Sequence, residues 1–360
     1  MSQTPIPNGR RPLLAMLKVQ TIGFLEVPTK SPPFTLPELL RSFPWNRKLN
    51  PNYEKVKAES QAWFESFHAF SPKAQDAFNR CDFNLLAALA YPNASAEHLR
   101  ICCDLMNLFF AFDEYTDVCD AQEARRLADI VMDVLRNPEL PRPQDESVIL
   151  IGEITKQFWL LAKKTSVESA QRIFIESFDT YTTAVVAQAE DRVSHHLRAD
   201  VDSYLEIRRQ TIGMEPSFVL LHLETELPEG FLSDPLVKHM TTLAIDMVLI
   251  ANDIYSYNVE QARGDDGHNM VTIVMSRRSL NLDEALLWIS DYYDNLVKSF
   301  QETYVALRER LASDTAISYL EGMAYWVRAN DCWSFESERY FGKKGATIQK
   351  TRLVELLPCV

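Results

Sequence analysis

Between Leu243 and Glu260 the chain passes from an almost unbroken apolar run to a polar stripe. Leu243, Ala244, Ile245, Met247, Val248, Leu249, Ile250 and Ala251 are interrupted only by Asp246, so this segment has to be buried. Asn252, Ser256 and Glu260 follow at i, i+4 and i+8, which stacks three oxygen side chains on one face of a helix. Two turns set the first and last α-carbons roughly 12 Å apart, yet side chains of unequal length can still converge on one ion. A buried polar stripe needs partners. An amide oxygen, a hydroxyl and a carboxylate are hard donors of the kind magnesium accepts, with positions left over for substrate phosphates. The spacing predicts a buried helix that ends in a metal site rather than a solvated polar face.

A second cluster, Asp113-Glu114-Tyr115-Thr116-Asp117, closes another apolar stretch containing Leu105, Met106, Leu108, Phe109, Phe110 and Phe112. Asp113 and Asp117 share a helical face. The cluster is not a calcium loop, because the sixth position counted from Asp113 is Val118 where such a loop needs glycine. Two carboxylate clusters, each ending an apolar helix, would hold several magnesium ions over the mouth of an apolar cavity. The ligand suited to that arrangement is a diphosphate with a hydrocarbon tail.

These motifs resemble those of class I terpene synthases. Asp113-Glu114-x-x-Asp117 is similar to the family's aspartate-rich motif, and Asn252-Asp-x-x-Ser256-x-x-x-Glu260 to its second metal motif. Arg208-Arg209-Gln-Thr-Ile-Gly213 looks like the diphosphate-sensing arginine, taken as Arg209, with Gly213 as its effector. Arg339-Tyr340 resembles the C-terminal pair that contacts diphosphate. The likeness covers about residues 65–345 and is nearest the fungal sesquiterpene cyclases, the group that includes Δ6-protoilludene synthases. It implies an all-α bundle around a hydrophobic cavity and three Mg2+ ions with the bound diphosphate. It implies farnesyl diphosphate as substrate and a cyclic sesquiterpene hydrocarbon, with Δ6-protoilludene a candidate, as product. A linear alcohol such as nerolidol or linalool is the alternative. A chain-elongating isoprenyl diphosphate synthase is a poorer match, since Asn252 and Ser256 stand where it would carry a second aspartate-rich motif. The chain departs from many relatives at Val259, where they carry lysine, so another base is expected to supply that contact.

A net charge of −13 argues against nucleic acid as a partner, which demands a basic face. An acidic protein that binds diphosphate must do so through metal ions and local arginines. Ten glycines in 360 residues leave little room for tight β-turns and favour helices. The six cysteines show no CxxC spacing and read as reduced thiols, which points to a cytoplasmic protein, monomer or homodimer. No apolar run of 18 residues exists to span a membrane, and no signal peptide is recognised. His195-His196, followed by Leu-Arg, supplies no His-Asp dyad of a metal-dependent phosphohydrolase.

Nine of the eighteen prolines fall in residues 1–51, which therefore read as an irregular segment. Residues 52–341 read as one helical domain, with connectors at Ser71-Pro72, Tyr91–Ser95 and Pro138/Pro141/Pro143. The basic stretch 342–360 is either a frayed tail or a lid. Carbocation chemistry wants no side-chain nucleophile but a dry, shaped cavity with aromatic faces. Phe109, one turn below Asp113, and Val248, one turn below Asn252, are the expected walls, with Trp326 and Trp333 as further candidates. The segment Tyr204–Leu221 reads as one helix kinked at Pro216, which cannot bond the Ile212 carbonyl.

Overall fold

The computed structural model describes residues 33–141, 146–194 and 198–359. The first 32 residues of the proline-rich segment, Pro143 of the third connector, and His195 and His196 lie outside them. Apart from two strands of two residues, the regular elements among the described residues are helical. They are α1 (Tyr53–Glu65), α2 (Pro72–Arg80), α3 (Phe83–Ala90), α4 (Ala96–Thr116), α5 (Ala121–Arg136), α6 (Glu146–Ala162) and α7 (Glu168–Ser194). There follow α8 (Val201–Thr211), α9 (Met214–Val219), α10 (Pro235–Arg263), α11 (Met270–Arg278), α12 (Leu282–Arg310), α13 (Asp314–Glu336) and α14 (Gly345–Thr351). None of the described helices is long and apolar enough to cross a membrane.

Local chemistry explains where the site-bearing helices start. Ser95, in an extended conformation, accepts the His98 N–H with its hydroxyl and so starts α4. Asp234 caps α10 through the Leu236 N–H, and Pro235 sits at the first helical position, where no N–H is needed. Gly264, at φ 74°, ends that helix in the left-handed conformation. A capping box between Asp200 and Ser203 starts α8.

The helices pack as a bundle. α10 lies against α8, α11, α12 and α13; α4 lies against α1, α3 and α6; α3 also meets α13, and α7 meets α5, α8 and α9. The run Leu243–Ala251 is buried throughout, Asp246 included. Each large aliphatic side chain so buried contributes about 1.5–3 kcal/mol.

Two expectations change here. Tyr204–Leu221 is not one kinked helix: it breaks into α8 and α9 at Gly213, whose φ is 72°. A side chain there would be strained, and a Cβ would also meet the Phe109 ring at 3.4 Å. Pro216 sits inside the first turn of α9, where its missing N–H leaves no gap in the ladder.

The described tail is also not frayed. Leu353–Val354 pairs antiparallel with Phe34–Thr35, tying the C-terminal segment to the start of the described residues. Asn258 and Gln261 of α10 donate to the carbonyls of Glu355 and Leu357 at 2.9 and 2.8 Å. Gly345 starts α14 so close to α13 that a Cβ would fall 2.1 Å from the Phe335 carbonyl oxygen.

Candidate active site

The ends of α4 and α10 are joined through α8 and the segment after α13. From α8, Arg208 donates to Asn252 Oδ1 at 2.8 Å and to Asp253 Oδ1 at 3.1 Å. From beyond α13, the Tyr340 hydroxyl accepts the Asn252 amide N–H at 2.7 Å. Arg339 donates to Glu114 Oε1 at 3.1 Å and lies over the rings of Phe110 and Phe83, at 5.5 and 5.9 Å. Arg192, from α7, sits 3.4 Å from Asp117 Oδ1 and donates to the Thr116 carbonyl at 2.9 Å. The protein's own side chains thus hold Arg339 and Tyr340 at the motif helices.

The acidic groups are crowded. Burial pushes the Asp113 carboxyl up, against the pull of Arg339. Withdrawal from water and then the Asp113 charge push Asp117 the same way, although 56% of its side-chain surface still meets solvent and moderates the effect. Burial, reinforced by Asp253, lifts Glu260 to about 7. Asn269, which caps α11, donates to Glu260 Oε2 at 2.9 Å and to the Asp253 carbonyl at 2.7 Å. Carboxyls held up in this way favour a nearby cation. Among the described residues no three Cys, His, Asp or Glu side chains group tightly enough to hold a metal by themselves. A hard ion here would complete its shell from Asn252, Ser256, water and substrate oxygens, which is how magnesium is usually held. The donor set fits.

Arg209 does not face this site. It makes a bidentate pair with Asp246 of α10, at 2.7 and 2.9 Å. Successive helical residues point about 100° apart, so when Arg208 turns to Asn252 its neighbour must turn elsewhere. Of the two α8 arginines, Arg208 is the one that meets the Asn252 motif. Asp253 is likewise a support: it accepts from Arg208, from the Tyr204 hydroxyl and from the Met270 N–H at 3.1 Å.

The expected walls divide. Phe109 stacks on Phe178 with centroids 5.2 Å apart, meets Tyr181 edge-on, and touches Gly213, so it joins the α4 motif to the helix break. Val248 is buried between α10 and α13, where its carbonyl accepts from Asn330 at 3.3 Å. Trp326 packs edge-on against Tyr91, whose hydroxyl donates to the Ser217 carbonyl of α9. Trp333 is a strut: its indole N–H donates to the carbonyls of Cys81 and Asp82, at 2.7 and 3.0 Å, while its ring backs Tyr340. Arg192 and Asn269 were given no site role from the sequence, and Asp246 stood out only as the break in the apolar run, because their partners lie on other segments.

Residues 104–299 match the family model described as terpene synthase family 2, C-terminal metal binding, which spans both acidic clusters. The chain belongs to the terpene synthase family. It is 49% identical over 335 residues to a Δ6-protoilludene synthase of Stereum hirsutum, covering 92% of this chain and 90% of the relative. Identity to the Δ6-protoilludene synthase of Armillaria gallica is 50% over 325 residues, 90% of this chain and 93% of that one. The fold is shared with the linalool/nerolidol synthase of Streptomyces clavuligerus, with a TM-score of 0.72 at 18% identity, covering 81% of this chain and 99% of that one. This terpene synthase therefore keeps the family's all-α architecture and a metal-binding C-terminal region.

Proposed function

We propose that this terpene synthase converts farnesyl diphosphate into a cyclic sesquiterpene hydrocarbon, with Δ6-protoilludene as the product, in a Mg2+-dependent reaction. The observation that carries the reading is the meeting of two oxygen-bearing helix ends, α4 and α10, with Arg208 and Arg339 already bonded to them. The names of the relatives support the choice of skeleton.

Asp113 and Asp117 on one side, and Asn252, Ser256 and Glu260 on the other, would hold the ions, three with the diphosphate. When bound, Mg2+ supplies positive charge that neutralises the leaving diphosphate. Arg208, Arg339 and Tyr340 bind the diphosphate oxygens as the allylic C–O bond breaks and its electron pair leaves with oxygen. Phe109, with Gly213 against its ring, forms the wall beneath Asp113, where an aromatic face stabilises migrating positive charge. Residues 52–341 form the cyclase domain, and the tail from Gly342 braces α10.

Incubation with farnesyl diphosphate and Mg2+, followed by gas chromatography, tests the reading. A cyclic sesquiterpene hydrocarbon is expected, and excess EDTA should abolish it. Dominant nerolidol would overturn the cyclase assignment, and a longer diphosphate would point to chain elongation.

A further inference from the structure

The three arginines at the site share one arrangement. Each comes from outside the two motif helices, and each is bonded to an oxygen group of a motif: Arg339 to Glu114, Arg208 to Asn252, and Arg192 to Asp117. Position 259, just before Glu260, is valine and supplies no cation to the site. The basic charge facing the site is therefore carried by α7, α8 and the segment after α13.

Arg192 differs from an ordinary surface arginine in two ways. One guanidinium nitrogen is fixed on the Thr116 carbonyl at the C-terminal end of α4, where a cation is favoured by the helix dipole. The other faces Asp117 at 3.4 Å, a long contact with 56% of the Asp117 side chain in water, so the ion pair is weak and easily exchanged. Its charge also works against the burial that raises the carboxyl of Asp113, the first acidic group of the α4 motif, after the larger pull of Arg339. The bidentate Arg209–Asp246 pair, whose carboxylate side is 4% exposed, has no such freedom.

An Asp117 oxygen that ligates a metal ion loses much of its capacity to accept from a guanidinium. Metal ligation at Asp117 thus turns the free arm of Arg192 toward whatever anion accompanies the metal. We infer that Arg192 is a third diphosphate-binding arginine of this site, exchanging Asp117 for a diphosphate oxygen as Asp117 takes up metal. The inference rests on the diphosphate reading given above. It also assigns a base to the contact that Val259 cannot make.

The test is calorimetric titration of the full-length protein with inorganic pyrophosphate in the presence of Mg2+, beside titration with Mn2+ alone and a thermal melt. Arg192→Gln keeps an N–H donor for the Thr116 carbonyl but removes the charge; Arg192→Lys keeps the charge but removes the fork. Arg192→Gln should weaken pyrophosphate binding at least tenfold, with Mn2+ affinity and melting temperature unchanged. Arg192→Lys should recover most of the lost affinity. Arg339→Gln serves as the control for the underlying reading and should also weaken pyrophosphate. If the wild type binds no pyrophosphate, or Arg339→Gln binds it normally, the diphosphate reading itself fails. If the control behaves but Arg192→Gln binds pyrophosphate within twofold of wild type, Arg192 has no such role. A parallel loss of pyrophosphate, Mn2+ and thermal stability in both Arg192 variants would also overturn the proposal, leaving Arg192 as a bolt on α4.

Discussion

In the C-terminal half of α10, Asn252 and Asp253 sit in finished hydrogen bonds, whereas at the end of α4 Glu114 and Asp117 hang on single ion pairs. Asn252 is bonded at both ends of its amide, and Asp253 has three donors and 1% of its surface exposed. Asp117 has one contact at 3.4 Å and mostly faces water, and Glu114 has one at 3.1 Å. The α10 side is thus rigid before any ligand arrives, and the α4 side can rearrange at little cost. A site that must admit a charged substrate and then exclude water is well served by one fixed and one adjustable wall.

The largest expected effect tests that division on the adjustable wall. Asp117→Asn should lower turnover of farnesyl diphosphate by roughly a hundredfold or more, since it removes one of the proposed metal ligands. Its unfolding free energy should change by less than about 1 kcal/mol, as for other exposed ion pairs. Steady-state kinetics and urea unfolding on the same preparation read both numbers. A loss of several kcal/mol would make the α4 end as structural as α10.

On the fixed wall the weight should move to stability. Asp253→Ala strands Arg208 and the Tyr204 hydroxyl in the interior, and breaking a buried pair costs about 3–5 kcal/mol. Urea unfolding measures it. An unaltered midpoint would remove the rigid half of the comparison.

The two arginines of α8 sharpen the contrast over one residue. Arg209→Gln leaves Asp246 buried with its main partner lost, so about 2–3 kcal/mol of stability should go while residual enzyme keeps its product profile. Arg208→Gln should instead cut pyrophosphate affinity. Reversed results would return the diphosphate role to Arg209.

The smallest effect lies away from the site. Burial lowers the His222 pKa to about 4, against a weaker upward pull from Glu226, and its Nδ1 has no hydrogen-bond partner. The unfolded chain takes up that proton near pH 6.5, so stability is full above this value and falls as pH drops toward 4. At pH 5 the loss is about 2 kcal/mol. His222→Phe should remove that portion of the acid slope while leaving the rest, as unfolding curves at pH 7.5 and 5 would show. An unchanged slope would mean that His222 is protonated inside the fold.

Both oxygen stripes were readable because each depends on spacing along one helix, whereas the break at Gly213 was not, since Pro216 drew the expected kink and the φ of Gly213 is fixed only by the packed fold. Local periodicity carries that information, so an unfolded chain already contains it. The choice between Arg208 and Arg209 was not readable, because the two side chains diverge by about 100° and a motif does not say which face α10 will cover. Nor could spacing show Arg192 reaching Asp117 across 75 residues, or Trp333 bracing Cys81 across 252. Contacts between distant segments exist only when the helices pack. Packing therefore decided which charges face the site and which hold the bundle together, while the helices that carry them were set by the sequence alone.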